Sequence, residues 1–139
     1  MKSLDKTKIV IDTNVLVSAL WSKNNRVTEI LSLVINDVLL ACYDVAVMRE
    51  YKEVLSRPNL AFHFEKSRVD EIINKIKIDG LSVAVRPSSL PEFTDESDRI
   101  FYDVAKACGA YLITSNIRHY PDEPFIINPF DFLKLIIGD

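Results

Sequence analysis

Lys8-Ile9-Val10-Ile11 is a largely β-branched run that stops abruptly on Asp12-Thr13-Asn14. Val15-Leu16-Val17-Ser18-Ala19-Leu20 then resumes as an apolar segment. A run of this kind reads as a central parallel strand covered on both faces, which commits the chain to a layered α/β fold. Asp12 then stands at the carboxyl end of that strand, where open α/β sheets place their ligand crevices. An ionised Asp beside a hydrophobic layer is costly unless a cation or hydrogen-bond donors compensate it. Two readings are open at this point. Asp12 caps the helix that follows, as Asp often does, or it belongs to a site. Further acids on the same edge would separate the two.

The length of 139 residues suits one domain with a sizeable core, so residues 1–139 are expected to form a single domain. Hydrophobic residues make up 48% and charged residues 27%, which excludes a disordered chain. No stretch reaches the roughly 20 apolar residues needed to span a bilayer. Residues 1–6 lack the apolar core of a signal peptide, so the expectation is a cytoplasmic protein with no membrane partner. Cys42 and Cys108 lie in apolar surroundings without metal-ligand spacing and read as reduced core thiols. A net charge of −3 argues against a generally basic nucleic-acid binder but allows a local basic rim.

Strand and helix patterns alternate along the chain. Asn25 to Asn36 carries a helical stripe of Val27, Ile30, Leu31 and Val34, and Val38 to Tyr43 suits a second strand. Asp44 is a candidate N-cap for a helix through about Ser56, which stops near Arg57-Pro58. A further helix runs from about Lys66 to Ile78 and stops at Gly80. Leu81 to Val85 reads as a third strand, and Pro87 to Pro91 as a loop. Asp95 or Ser97 starts a helix that ends at Cys108-Gly109. Tyr111 to Thr114 and Phe125 to Ile127 are the last two strands, and Pro129 opens a terminal helix to about Ile137. The expected fold is a three-layer α/β/α sandwich around a mostly parallel sheet of four to five strands.

Four polar positions then meet at one edge. Asp12 ends the first strand, and Thr114-Ser115-Asn116 ends the fourth. Asp98 falls in the first turn of the helix that enters the fourth strand, with Asp95 one turn earlier. Glu50 shares a helical face with Val47 and Val54, which aims it toward the sheet edge rather than the solvent. Three carboxylates and an amide in one place call for a hard divalent cation, Mg²⁺ or Mn²⁺, which takes oxygen ligands and substrate phosphate oxygens. Such a site hydrolyses phosphodiesters by activating water and neutralising the departing oxygen.

Each residue also has a plainer reading. Glu50 alone suits an exposed helix position, with Glu53 an equally acidic neighbour. Asp95, Glu96 and Asp98 suit a helix N-terminus, and Asn116 suits a turn. His63 and His119 read as surface or structural groups, and Lys52, Arg57 and Arg118 as solvated charges. The joint order of the four positions is more specific than any one of them.

These residues carry a resemblance. Val10-Ile11-Asp12-Thr13-Asn14-Val15-Leu16, Glu50 to Pro58, Asp95-Glu96-Ser97-Asp98 with Ala105, and Leu112-Ile113-Thr114-Ser115-Asn116 resemble the PIN-domain (PilT N-terminus) ribonucleases, and among them the toxins of toxin–antitoxin pairs. The resemblance implies a Mg²⁺- or Mn²⁺-dependent endoribonuclease with Asp12, Glu50 and Asp98 as catalytic and metal-binding acids. It implies RNA as substrate, held by neutral groups of Thr13, Asn14, Ser115 and Asn116, a small antitoxin as partner, and a homodimer. The chain departs from the family at Thr114-Ser115-Asn116, where a fourth acid typically follows a Thr-Gly pair. An amide oxygen ligates a hard cation without adding charge. The alternative is therefore a weakened domain that binds RNA or protein without cutting. A phosphatase of the haloacid-dehalogenase type also ends its first strand on Asp, but it needs a second Asp where this chain has Asn14.

Overall fold

The structure, a computed structural model, describes residues 6–21, 25–61 and 63–138. Residues 1–5, read above for a targeting signal, lie outside it. Five strands, β1 (Thr7–Ile11), β2 (Leu39–Tyr43), β3 (Leu81–Ser82), β4 (Tyr111–Ile113) and β5 (Ile126–Ile127), form one sheet in the order β3-β2-β1-β4-β5. All four pairings are parallel. The expected three-layer α/β architecture is the one observed.

β1 is central because its residues tolerate no solvent. Ile9, Val10 and Ile11 are at most 1% exposed, each worth roughly 1.5–3 kcal/mol relative to exposure. The α-helices of the described residues are α1 (Thr13–Trp21), α2 (Thr28–Ile35), α3 (Val45–Leu55), α4 (Pro58–Ala61), α5 (Lys66–Asp79), α6 (Arg99–Cys108) and α7 (Pro129–Ile137). From β1 through β2 to β3 the chain crosses the sheet one way, and from β3 to β4 it crosses back. Right-handed crossovers therefore place α6 on the face opposite the helices of the first half. In agreement, α6 packs on β1, β2 and β4, while α1, α2, α3 and α5 pack on one another.

Local chemistry sets the helix ends. The Asp44 carboxylate accepts from the Val47 N–H at 2.8 Å and caps α3 as expected. Asn128 caps α7 in the same way, accepting from Asp131 N–H at 2.8 Å, with Pro129 in the first turn. Gly109 ends α6 at φ 67°, a left-handed conformation that favours glycine. Among the described residues no helix is long and apolar enough to cross a membrane. Both cysteines are free thiols, and burial pushes Cys42 up to about 12.

The structure differs from the sequence expectation in three places. β3 covers only Leu81–Ser82 rather than running to Val85. Its partner β2 ends at Tyr43 and turns into α3, so the ladder closes with the bond from Val83 N–H to Tyr43 C=O at 2.9 Å. Pro58 does not simply stop a helix; it opens the single turn α4. The helix expected from Asp95 or Ser97 begins as a 3₁₀ turn over Glu96–Asp98, capped by the Asp95 side chain on Ser97 N–H at 2.9 Å, before α6 proper.

Gly80 follows α5 with an extended backbone at φ −76°, so its requirement is space, not handedness. A Cβ there would stand 2.3 Å from the Ile76 carbonyl oxygen and 2.6 Å from that of Ala41. Gly80→Ala is therefore expected to destabilise the fold by about 1–3 kcal/mol through overpacking. Urea denaturation would show a lower midpoint with an unchanged slope.

Candidate active site

The register of β1 against β4 builds the core of the site. Ile11 pairs with Ile113, and the ladder continues with the bond from Asp12 N–H to Ile113 C=O at 3.0 Å. Thr114 is thus the next residue opposite Asp12. Its hydroxyl donates to Asp12 Oδ2 at 2.8 Å and accepts from Asn116 N–H at 3.0 Å. A 3₁₀ turn over Ile117–His119 then returns Tyr120, whose phenol donates to the same Oδ2 at 3.1 Å. Among the described residues, Asp12 Oδ1 receives only a long bond from Asn14 N–H, at 3.4 Å. Asp12 is 4% exposed, so neutral hydroxyls rather than a cation hold this buried carboxylate. Burial, followed by the charges of Asp12 and Asp98, raises the Tyr120 phenol well above its ordinary range and keeps it a donor. Tyr51, fully buried on α3, donates to the Ile11 carbonyl at 2.5 Å and pins α3 to the same strand end.

Asp98 lies at the junction of the 3₁₀ turn and α6. Its Oδ2 is buried and has no hydrogen-bond partner among the described residues; His119 Nδ1 stands 3.8 Å from it. Burial first, then the charges of Asp12 and Asp95, push Asp98 up to about 6, with His119 acting the other way. Glu50 is half-buried on α3 and is also raised, by burial first, then by Glu53, Asp12 and Asp95, against a lowering from Arg57. Glu53 instead points outward and pairs with Arg57 at 2.8 Å. Asp12, Glu50, Asp95 and Asp98 thus share one electrostatic field. No three of them form one coordination sphere: among the described residues no group of three His, Cys, Asp or Glu side chains could hold an ion. The bare, buried Asp98 Oδ2 is nonetheless an unmatched acceptor of the kind a hard cation satisfies.

Neighbouring residues sort into those that face the site and those that leave it. Asn14 and Ser115 are exposed, Asn116 is half-buried, and Thr13 is buried with its hydroxyl unpaired. Glu96 turns away from the acids to bind Arg99 at 2.7 and 3.0 Å. Arg99, 8% exposed, also donates to Ser88 Oγ and the Pro91 carbonyl and lies 4.6 Å over the Phe93 ring. Phe93 packs edge-on against Tyr120 at 5.9 Å, so this arginine braces the wall beside Asp12. Lys52, Arg57 and Arg118 are exposed.

A family model described as a PIN domain matches residues 8–118, from β1 to the 3₁₀ turn beyond β4. This chain belongs to the PIN-domain family. PIN domains are in general nucleases, and the matched span carries Asp12, Glu50, Asp98 and Asn116 but ends before His119 and Tyr120. The PIN domain is also similar to an uncharacterized protein of Methanocaldococcus jannaschii, 28% identical over 113 residues that cover 80% of this chain and 72% of the relative.

Thr114, Tyr120, Arg99 and His119 were not among the sequence candidates for the site. Thr114 was within reach, because it follows Ile113 as Asp12 follows Ile11. Tyr120 was not, since a 3₁₀ turn brings it back.

Because the folded pKa of Asp98 lies above the ordinary 3.8, the fold favours its protonated form. Asp98 therefore costs stability as pH rises from below 4 to above 6. In chelator at pH 7.5, Asp98→Asn should melt higher than the wild type, by roughly 3 °C. The gain should vanish at pH 3.5. A lower melting temperature at both pH values would contradict the electrostatic account.

Proposed function

We propose that this PIN domain is a Mg²⁺- or Mn²⁺-dependent endoribonuclease and the toxin component of a toxin–antitoxin pair. The observation that carries the nuclease reading is the shared field of Asp12, Glu50 and Asp98, with one buried Asp98 oxygen left without a donor. Toxin identity, a small antitoxin partner and a homodimer rest on the resemblance of the motif segments alone. A bound hard dication would neutralise charge on the scissile phosphate and make a coordinated water more acidic.

The chain's own residues divide the remaining work. With Oδ2 committed to Thr114 and Tyr120, Asp12 keeps Oδ1 with one long bond from Asn14 N–H, and Asp98 keeps its unpaired Oδ2. These two carboxylates are the proposed direct ligands. Glu50, raised above the ordinary glutamate range, is a better base than a free carboxylate and is assigned to orient or deprotonate the attacking water. Asn14, Ser115 and Asn116 line the approach and supply neutral hydrogen bonds to the phosphate, with Thr13 buried behind them. The second reading, RNA or protein binding without cleavage, is favoured by Asn116, an amide where the family's fourth acid is expected.

Asp12→Asn is expected to abolish metal-dependent RNA cleavage and weaken Mn²⁺ binding in calorimetric titration. Cleavage that survives in Asp12→Asn, or that needs no metal in the wild type, would overturn the site. Glu50→Gln should lower the cleavage rate by about 10²-fold or more while Glu53→Gln stays near wild type. Equal losses in the two variants would reassign the base. Asn116→Asp should tighten Mn²⁺ binding by restoring a charged ligand of the same shape. An unchanged affinity would return Asn116 to the role of a turn residue.

A further inference from the structure

We propose that an open cavity at the β2–β3 end of the sheet docks the phosphate backbone of the RNA strand through Arg49, Lys52 and Lys77. The inference rests on the nuclease reading above and deepens it with a second point of contact for the same substrate.

The cavity, about 610 Å³ in volume, opens between α3, the last turn of α5 and the ends of β2 and β3. Tyr43 and Ser82, the last residues of those two strands, line it. It therefore lies on the carboxyl edge of a wholly parallel sheet, the edge that carries Asp12 and Thr114. The Tyr43 phenol donates to the Lys77 carbonyl at 2.7 Å, which ties the end of α5 to β2 and brings Lys77 to the cavity. On α3, Arg49 and Lys52 stand three residues apart and share an exposed face turned away from Glu50.

Charge decides the occupant. The chain has a net charge of −3, yet three cations line this cavity. Among the described residues none of the three forms an ion pair, whereas Lys66, Lys75, Arg99 and Lys106 each have a carboxylate partner. Glu53, the acid in the lining, is committed to Arg57 by two bonds at 2.8 and 3.1 Å. Exposed cations around an open cavity suit a flexible chain of repeated phosphate charges. Arg57 links the cavity to the acids, because it pairs with Glu53 while its charge also reaches Glu50. The β1–β4 crevice and the β2–β3 end are two strand spacings apart, about 10 Å. At roughly 3.4 Å or more per nucleotide, a strand cut at the acids reaches the cavity within about three nucleotides.

The test is fluorescence anisotropy in chelator, over a range of salt, with a labelled single-stranded RNA of about twelve nucleotides. The proteins are the wild type, the cavity variant Arg49→Gln/Lys52→Gln/Lys77→Gln, and the control Arg86→Gln/Lys106→Gln/Lys134→Gln, which removes equal charge elsewhere. The cavity variant should bind about tenfold or more weakly at low salt. Its slope of log affinity against log salt should fall by about 2, since each single-strand phosphate contact contributes about 0.7. The control should stay within about threefold of the wild type, and Lys77→Glu alone, on a different element, should reproduce part of the loss. In Mn²⁺ the cavity variant should raise KM for RNA more than it lowers kcat. Equal weakening in both triple variants, or an unchanged salt slope in the cavity variant, would overturn the docking site and leave the nuclease reading in place. Poly-glutamate bound as tightly as the RNA, with the same dependence on the three cations, would overturn RNA as the occupant. Binding that depends on the three cations without any cleavage in Mn²⁺ would keep the docking site and remove the nuclease reading.

Discussion

The structure depends on keeping one carboxylate, Asp12, inside a hydrophobic layer. Its neighbours Ile9, Val10 and Ile11 are sealed from water on both faces of the sheet. A charge at the end of that strand survives only if donors replace its lost hydration. Thr114 and Tyr120 do so with neutral hydroxyls, each such bond to a charged group worth about 1.5–3 kcal/mol. Neutral donors satisfy the carboxylate without cancelling its charge. An arginine in the same place would have stabilised the fold equally well and left nothing for a cation or a phosphate site to use.

The second half of the sheet follows from that requirement. β4 must lie beside β1 in a register that sets Thr114 opposite Asp12, and α6 must enter β4 from the far face, which brings Asp98 to the same edge. Arg99 organises the approach. It draws Glu96 out of the acidic run 95–98, anchors the segment 88–91, and supports Phe93 against Tyr120. Consecutive acids in the sequence thus have separate fates. Asp95 caps a turn, Glu96 neutralises an arginine, and of the three only Asp98 keeps a buried oxygen bare.

Much of this was legible in the sequence because it depends on local chemistry. The strand ending at Asp12, the Asp44 cap, Pro129 and Gly109 each fix an element boundary through a residue's own preferences. Glu50 and Glu53 separate by helical phase, and one turns inward while the other pairs with Arg57. What sequence reasoning missed depends on distant partners. The truncation of β3 reflects where β2 ends, and the crowding that demands Gly80 comes partly from Ala41 on another strand. Tyr120 and His119 reach the site through a 3₁₀ turn whose direction no periodicity announces. That no three of these acids close on one point is a matter of ångströms, beyond any pattern of residue types.

The two hydroxyls that hold Asp12 come from residues 102 and 108 positions further along the chain. The first of the candidate-site acids is therefore the last to be secured. During synthesis β1, α1 and β2 can associate while Asp12 still lies at an open strand end. The hydroxyls that fix the carboxylate arrive only with β4 and the turn that follows it. A fragment that stops short of β4 carries Asp12, Glu50 and Asp98 in its sequence, yet it lacks the partner strand that sets Asp12 in place. For a chain proposed to cut RNA, assembly order is itself a form of restraint.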